Sequence, residues 1–181
     1  MIVLIGKTCS GKTTIANELM KSGFHKIITT TSRGIRECET QDIDYHFVSN
    51  DKFIEKIRNN EFVEWKNYNT VDGVWYYGTT YNELQQSDDK SVLIITPRGL
   101  KELLDKGYNI TSIYIYANNN TIKKRLIDRG DSKDEAERRL LSDNEEFKHA
   151  EKLVNRIFYN NSTDNISDVT KKIIEYISNR T

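Results

Sequence analysis

The hydrophobic positions along the chain alternate between short continuous runs and stretches with helical spacing. Residues 2–5 form an unbroken apolar run that stops at Gly6, which is typical of a strand buried on both faces. Further β-prone runs lie at 27–31, 92–95, 113–116 and 157–159. Between them, the spacing predicts helices at about 12–22, 97–106, 119–128, 133–153 and 166–178. Strands that alternate with helices indicate an α/β fold with a five-stranded parallel sheet.

The segment from residue 32 to residue 82 has a different pattern. Residues 32–42 are polar and without periodicity, which predicts a loop. Tyr45 and Phe47 alternate as in a strand, and residues 51–59 are expected to be helical. Short strands are predicted around 62–65 and 74–77, with Asp72-Gly73 as the turn that joins them. We therefore expect one domain over residues 1–181, with a core formed by 1–31, 83–128 and 140–181 and an insertion at 32–82.

Composition excludes several classes of protein. The 181 residues include 27 basic and 27 acidic side chains, so no broad positive surface for nucleic acid is expected. The two cysteines, Cys9 and Cys38, cannot form a disulfide framework, which fits a reducing cytoplasm. No apolar run has the length needed to cross a membrane. We expect a cytoplasmic protein, a monomer or homodimer, with no nucleic-acid or membrane partner.

Residues 6–13, Gly-Lys-Thr-Cys-Ser-Gly-Lys-Thr, match the eight-residue P-loop pattern in full. The two glycines let the backbone N–H groups point toward a phosphate, and the following helix adds its positive N-terminal end. The lysine of this pattern reaches the β- and γ-phosphates, and the final hydroxyl binds Mg²⁺. The motif predicts that ATP and Mg²⁺ are the cofactors, with Thr13 as the metal ligand. The predicted cofactor-binding residues here are Gly6, Lys7, Thr8, Cys9, Ser10, Gly11, Lys12, Thr13 and Thr14.

A second anion site is indicated in the polar loop. Arg33 and Arg36 lie there, and a pair of planar guanidinium groups binds phosphate through several charge-assisted hydrogen bonds. The surrounding sequence, Thr31-Ser32-Arg33-Gly34-Ile35-Arg36 with Glu39 and then 44–49 (Asp-Tyr-His-Phe-Val-Ser), resembles the acceptor region of the guanylate kinase family. The resemblance continues through 60–65 (Asn-Glu-Phe-Val-Glu-Trp) and 76–79 (Tyr-Tyr-Gly-Thr), and covers nearly the whole chain in the right order.

The resemblance implies a role for each matching residue. The groups that would hold the 5′-phosphate of the acceptor are Arg33, Arg36, Tyr45 and Tyr77. Glu39 would either orient the arginines or approach the surroundings of that phosphate. Glu64 would accept hydrogen bonds from guanine N1–H and its exocyclic amine, an edge that adenine cannot present. Thr29 and Thr79 would face guanine O6. Tyr68, Trp75 and Tyr76 add aromatic surface that could either stack on the base or pack within the insertion.

Arginines near the end of the chain are similar to those of a nucleoside monophosphate kinase lid. Arg125 and Arg129 lie four apart on one predicted helix face, and Arg139 follows on the far side of a lid at 129–139. Arginines that arrive on closure stabilise the charge of the transferred phosphoryl group and expel water. Together with Lys12 they are the predicted catalytic residues, with Arg138 as the rival to Arg139. Asn160 resembles an asparagine close to the family's adenine site.

The sequence departs from the family at one important place. Where the family has an Asp-x-Asp pair, this chain has Ile94 and Thr96, and Cys38 stands where a glycine is usual. The acidic pair helps to read the base and to organise water around the metal, so the choice of base is less firmly indicated than the reaction.

The expected function is phosphoryl transfer from ATP to GMP or dGMP, which would give ADP and the nucleoside diphosphate. Two alternatives remain open at this stage. One is a related kinase for another phosphorylated acceptor such as ribose bisphosphate, and the other is a non-catalytic guanylate-kinase-like binding module.

Overall fold

The computed structural model describes residues 1–37, 39–70 and 73–180. The strands are β1 (Ile2–Ile5), β2 (His25–Lys26), β3 (Thr30–Thr31), β4 (His46–Phe47), β5 (Phe62–Thr70), β6 (Gly73–Thr80), β7 (Ser91–Ile94), β8 (Thr111–Tyr116) and β9 (Arg156–Tyr159). The helices are α1 (Lys12–Lys21), α2 (Asn50–Arg58), α3 (Tyr81–Gln85), α4 (Pro97–Asp105), α5 (Asn119–Asp128), α6 (Lys133–Glu146) and α7 (Ile166–Ser178), with a 3₁₀ turn at Ala150–Leu153. Two residues of the sequence analysis, Cys38 and Asp72, lie outside the described residues.

A five-stranded sheet in the order β2-β7-β1-β8-β9 forms the core, and every pairing in it is parallel. β1 lies at its centre and has an apolar side chain on both faces. Val3 and Ile5 pack in one cluster with side chains of α4, while Ile2 and Leu4 pack in a second cluster with side chains of α1 and α7. The predicted α/β fold with a five-stranded parallel sheet is confirmed.

A second sheet is built in the order β4-β3-β6-β5 and lies within the predicted insertion. Most of its pairing is the antiparallel hairpin of β5 and β6. α2 covers this sheet through Phe53, which is fully buried and stacks on Phe62 and Tyr76 at centroid distances of 4.4 and 5.3 Å. The sheet also takes in Thr30 and Thr31, two residues before the predicted start of the insertion.

The structure corrects the single strand predicted at 27–31. Within this stretch Thr30 and Thr31 form the short strand β3, which pairs with β4 and β6, and residues 27–29 are in no strand. The core strand β2 ends before it at Lys26, although the Ile27 N–H still donates to the Val92 carbonyl oxygen of β7. An apolar run shows that a segment is buried, but it does not show which strand will be its neighbour. The chain crosses here from the core to the insertion, and this crossing brings the two sheets together beside Thr29.

Other boundaries differ in smaller ways. The strands predicted at 62–65 and 74–77 are parts of the much longer β5 and β6. The sequence analysis did not predict α3, because five residues are too few to show helical periodicity of hydrophobic positions. A capping box between Thr80 and Glu83 nevertheless marks the start of this helix. The helix predicted over 133–153 ends at Glu146, and a 3₁₀ turn follows.

Among the residues that the structure describes, no helix combines the length and the apolar character that a bilayer crossing requires.

The central position of Leu93 on β7 makes it a test of the core. Leu93 is fully buried, so Leu93→Ala removes packed methyl groups and leaves a cavity. We expect the free energy of unfolding to fall by about 2–5 kcal/mol, as measured by urea denaturation. Leu141→Ala is the matched control, because Leu141 is 64% exposed and its loss should cost below about 1 kcal/mol. Equal losses in the two variants would contradict the described core.

Candidate active site

The loop between β1 and α1 has the close contacts that a phosphate cradle requires. A Cβ atom at Gly6 would lie 2.5 Å from both the Ile115 carbonyl oxygen and the Ser10 hydroxyl. Gly11 has a φ of +100°, and a Cβ atom there would lie 2.2 Å from the side-chain nitrogen of Asn160. Both positions therefore accept only glycine without a rearrangement, for reasons of space at Gly6 and of space and backbone conformation at Gly11.

Three other elements hold this loop in place. Asn160, which is buried just after β9, donates to the Ser10 carbonyl oxygen at 2.8 Å. Arg125 on α5 donates to the Cys9 carbonyl oxygen at 3.1 Å. The Thr8 backbone N–H donates to the Asp143 carboxylate on α6 at 2.6 Å. The loop is thus fastened from three sides, which keeps its shape independent of any one contact.

Lys12 opens α1, and its ammonium group lies back over the loop. It donates to the carbonyl oxygens of Gly6 and Lys7 at 2.7 and 2.9 Å. Burial lowers the pKa of Lys12, while the carboxylates of Asp143 and Glu146 oppose that shift. The amine is consequently a partly desolvated cation, which interacts strongly with a negatively charged ligand.

The predicted acceptor arginines lie in the loop after β3. Arg33 is 4% exposed and forms a two-pronged ion pair with Glu39, with N–O distances of 2.8 and 2.9 Å. Its third nitrogen donates to the Tyr77 hydroxyl at 3.1 Å. Burial works against ionisation of Glu39, but the hydrogen bonds from Arg33 and from the Arg36 backbone outweigh it and lower the pKa of Glu39. Glu39 therefore holds the Arg33 guanidinium in a fixed orientation.

Arg36 is freer than Arg33. Its side chain is 45% exposed, and its guanidinium lies 3.9 Å from Glu39, beyond hydrogen-bond distance. Tyr45 packs edge-on against Tyr77 with ring centroids 6.1 Å apart, and the Arg33 guanidinium lies 5.6 Å from the centre of the Tyr45 ring. The four predicted phosphate-binding residues are therefore neighbours in space.

Glu64 is a buried carboxylate at the start of the hairpin. It is 7% exposed and accepts a hydrogen bond of 2.6 Å from the Thr79 hydroxyl. Its other oxygen lies where a Cβ atom at position 99 would be only 2.7 Å away, so Gly99 makes room for it. Burial raises the pKa of Glu64 to about 7, although the Thr79 hydrogen bond acts in the opposite direction. Glu64 is thus a carboxylate with few partners, held in a confined place.

The lid arginines are paired within the lid itself. Arg129 donates to Asp131 at 2.7 and 2.9 Å, and Arg139 donates to Glu135 at 2.7 Å. Hydrogen bonding from Arg138 lowers the pKa of Glu135 to about 2. Burial acts in the opposite direction, and a hydrogen bond from Arg139 lowers the pKa further. Arg139 is the more buried of the two rivals, with 22% of its side chain exposed against 48% for Arg138.

One cavity of about 290 Å³ brings most of these groups together. The predicted site residues that line it are Gly6, Thr8, Lys12, Thr29, Arg36, Tyr45, Glu64, Tyr77, Thr79, Arg129 and Arg139, and Arg138 lines it as well. An adjoining cavity of about 130 Å³ is lined by Thr13, Arg33 and Glu39. Five residues line both cavities, so the two cavities share part of their walls.

Other predicted residues line neither cavity. They are Lys7, Cys9, Ser10, Gly11, Thr14, Arg125 and Asn160. The Arg125 guanidinium is engaged with the carbonyl oxygens of Cys9 and Asn161, and therefore braces the loop. Its predicted contact with a transferred phosphate remains a prediction.

The sequence analysis missed several residues of the larger cavity. Asp143 and Glu146 reach it from α6, and Lys66 reaches it from β5 and pairs with Glu146 at 2.5 Å. Asp143 and Glu146 are three residues apart, which places them on one helix face. This spacing was the feature of the sequence that could have indicated a shared acidic face. Tyr68 and Trp75 also line the cavity, and Ile94 and Thr96 face it where the family has its acidic pair.

The residues present fit a Mg²⁺ ion that is held largely by its nucleotide. Thr13 is exposed at the first turn of α1 and lines the smaller cavity. In the described part of the chain, no group of three or more His, Cys, Asp or Glu side chains could hold a metal by itself. Mg²⁺ in kinases commonly takes one or two protein oxygens and completes its shell with phosphate and water.

The fold and the loop define a class, namely P-loop proteins with an α/β core. The family model described as guanylate kinase matches residues 1–177. The guanylate kinase of Helicobacter hepaticus is 34% identical over 82% of this chain and 76% of its own length. That of Clostridium tetani is 32% identical over 98% of this chain and 85% of its own. The chain belongs to the guanylate kinase family.

A solved structure supports the fold independently. The guanylate kinase from Anaplasma phagocytophilum superposes with a TM-score of 0.72 and covers 99% of this chain and 85% of that chain. Its sequence identity is only 21%, so this comparison shows the architecture alone.

The raised pKa of Glu64 predicts a pH-dependent cost to stability. The unfolded carboxyl has a pKa near 4.5 and the folded one near 7, so the folded state binds the proton more tightly. The stability that this tighter proton binding contributes is present in full below pH 4.5 and is lost as the pH rises through 7. Glu64→Gln removes the buried charge. We expect the change in the free energy of unfolding that this substitution causes to be more favourable at pH 8 than at pH 4, by roughly 2–3 kcal/mol.

Urea denaturation at both pH values measures this difference. Glu55→Gln is the control, because Glu55 is a 55% exposed glutamate whose loss should have almost no pH-dependent effect. A stability change in Glu64→Gln that is the same at pH 4 and pH 8 would show that the carboxylate is not destabilised by burial.

Proposed function

We propose that this protein transfers the γ-phosphoryl group of ATP to the 5′-phosphate of GMP or dGMP, giving ADP and the nucleoside diphosphate. The observation that carries the proposal is the shared cavity. Lys12 of the phosphate loop, Arg36 of the acceptor loop and the buried Glu64 all line it. A donor phosphate and an acceptor nucleotide can therefore face one another in a single cavity.

On the donor side, we assign the β- and γ-phosphates of ATP to the backbone N–H groups of residues 6–14 and to Lys12. The left-handed Gly11 and the contact with Asn160 hold this backbone in a fixed curve. Thr13 would hold Mg²⁺. When bound, the ion would supply positive charge that neutralises the charge developing on the phosphates. Asn160 is also the residue that we assign to the neighbourhood of the adenine.

On the acceptor side, we assign the 5′-phosphate to Arg33, Arg36, Tyr45 and Tyr77. Of the two arginines, Arg36 has the weaker ion pair, since its guanidinium is 3.9 Å from Glu39. Arg33 keeps its orientation through its pair with Glu39. A charged guanidinium and a tyrosine hydroxyl both donate hydrogen bonds, which matches the all-acceptor character of a phosphate dianion.

We assign the base to Glu64, Thr79 and Thr29. Glu64 accepts one hydrogen bond inside the protein and retains acceptor capacity for guanine N1–H and its amine. Ionisation of Glu64 becomes favourable when two donors arrive, because hydrogen bonds to the charged form lower a pKa that burial has raised. Ile94 and Thr96 contribute no carboxylate, so Glu64 is the carboxylate that we assign to the guanine, with Thr79 and Thr29 beside it.

Catalysis in this proposal is positioning and charge neutralisation. An acceptor phosphate dianion is already a nucleophile, so no general base is needed. Arg129 and Arg139 would move from their carboxylate partners toward the transferred group when the lid closes. We take the lid as 129–139, the acceptor-binding insertion as 32–82, and the remainder as the core. A monomer or homodimer in the cytoplasm that acts on small nucleotides completes the proposal.

The direct test measures ADP release with ATP and Mg²⁺ across GMP, dGMP, AMP, dTMP, CMP, UMP and ribose bisphosphate. We expect rapid turnover with GMP or dGMP and little with the others, because only guanine offers two adjacent donors to Glu64. Turnover confined to dTMP, CMP or ribose bisphosphate would contradict the acceptor assignment. The absence of turnover with every acceptor would favour a binding module.

Glu64→Gln tests the residue that reads the base. It loses the charged acceptor, so we expect kcat/KM for GMP to fall about 10- to 100-fold while the residual activity with AMP stays within about threefold. Glu55→Gln on α2 serves again as the exposed control. A uniform loss with all acceptors would reject a base-reading role for Glu64.

A further inference from the structure

Lys26 is a basic residue that neither the motif nor the family resemblance singled out. It ends β2 at the edge of the parallel sheet, directly before the chain crosses to the insertion. Its side chain lines the smaller cavity, which also contains Arg33 and Arg36. The Lys26 ammonium lies 5.3 Å from the centre of the Tyr45 ring and donates to the Asp44 carbonyl oxygen at 2.8 Å. The amine is therefore directed toward the proposed phosphate pocket.

The smaller cavity shares part of its wall with the larger cavity. Thr29, Arg36 and Tyr45 line both cavities, so an anion bound among them would be reached from either side. Lys26 approaches from the core sheet, whereas the two arginines approach from the loop after β3. The three cations therefore reach the pocket from two elements, the core sheet and the loop after β3.

The balance of charge in this pocket leaves Lys26 available. Arg33 is committed to Glu39 through two hydrogen bonds. In the ranges that the structure describes, Lys26 forms no ion pair with a carboxylate, and its recorded hydrogen bond goes to a backbone carbonyl. Burial lowers the pKa of Lys26, while the more distant charges of Asp44 and Glu39 act in the opposite direction. A partly desolvated ammonium without a close carboxylate gains most from an incoming anion.

We propose that Lys26 is a third cationic contact for the 5′-phosphate of the acceptor, beside Arg33 and Arg36. This inference rests on the proposed function for the identity of the acceptor, but it concerns the phosphate and not the base. A phosphate dianion carries two negative charges, and Glu39 already offsets part of the charge of Arg33. Lysine supplies a compact point charge on a flexible stem, which can follow the phosphate during closure.

The alternative role for Lys26 is to fasten the loop at Asp44, and the variants separate the two. Lys26→Gln keeps a donor for the Asp44 carbonyl oxygen but removes the charge, and Lys26→Arg keeps the charge. We expect Lys26→Gln to raise KM for GMP about 10- to 100-fold, with KM for ATP and kcat within about twofold. For Lys26→Arg, the KM for GMP should remain within about threefold of the value for the parent protein. Lys21→Gln, at an exposed lysine paired with Glu18 on α1, is the matched control and should change none of these values.

Binding measurements distinguish a phosphate contact from a structural contact. Calorimetry should show that Lys26→Gln weakens GMP binding but leaves guanosine binding, measured on the same protein, within about twofold. Equal losses for GMP and guanosine, or no loss for either, would overturn the proposal. Lys26→Met provides a second neutral variant if Lys26→Gln loses its cooperative thermal unfolding.

Failure of the proposed function would look different. If the parent protein prefers another nucleoside monophosphate, the same Lys26 variants are compared on that acceptor and its nucleoside. If the parent turns over no monophosphate, the catalytic proposal fails, while the comparison of GMP with guanosine binding still decides the role of Lys26.

Discussion

Pairing between guanidinium groups and carboxylates is the interaction on which the candidate site depends. Several cations line one depression, and without counter-charges they would repel one another and draw away from it. Glu39 holds Arg33, Asp131 holds Arg129, and Glu135 holds Arg139. Each pair holds an arginine in a defined orientation beside the cavities. In the proposed function, binding of a phosphate to Arg129 or Arg139 replaces one anionic partner with another.

The pairs differ in how much charge they leave for a ligand. Arg33 is buried and bound by two hydrogen bonds, so it acts mainly as a fixed part of the wall. Arg36 and Lys26 have weaker counter-charges and reach the same pocket. A phosphate pocket with one rigid cation and two less committed ones combines a defined position with net attraction. The buried Glu64 is the opposite case, because it is a carboxylate whose charged form is stabilised by hydrogen-bond donors on a base.

The phosphate loop and the acceptor loop could be found from the sequence for a simple reason. In the loop at 6–13 and in the Arg33 to Tyr45 segment, the required chemistry is concentrated in a few adjacent residues, and the spacing itself carries the information. The glycine at position 11 illustrates this, since its left-handed backbone and its contact with Asn160 both exclude a side chain. The amphipathic helices were also predicted closely, with α5 at 119–128 and α7 at 166–178 as expected.

Local pattern determined the parallel core sheet and its helices, the glycine loop and the candidate arginines, because each depends on neighbours in the chain. Only the tertiary structure decided that the strand in the run at 27–31 belongs to the second sheet, that Arg125 braces the phosphate loop, and that Asp143, Glu146 and Lys26 reach the cavities. These features depend on contacts between segments far apart in sequence. Hydrophobic spacing shows that a side chain is buried or on a given face, but it contains no record of the residue that will lie opposite.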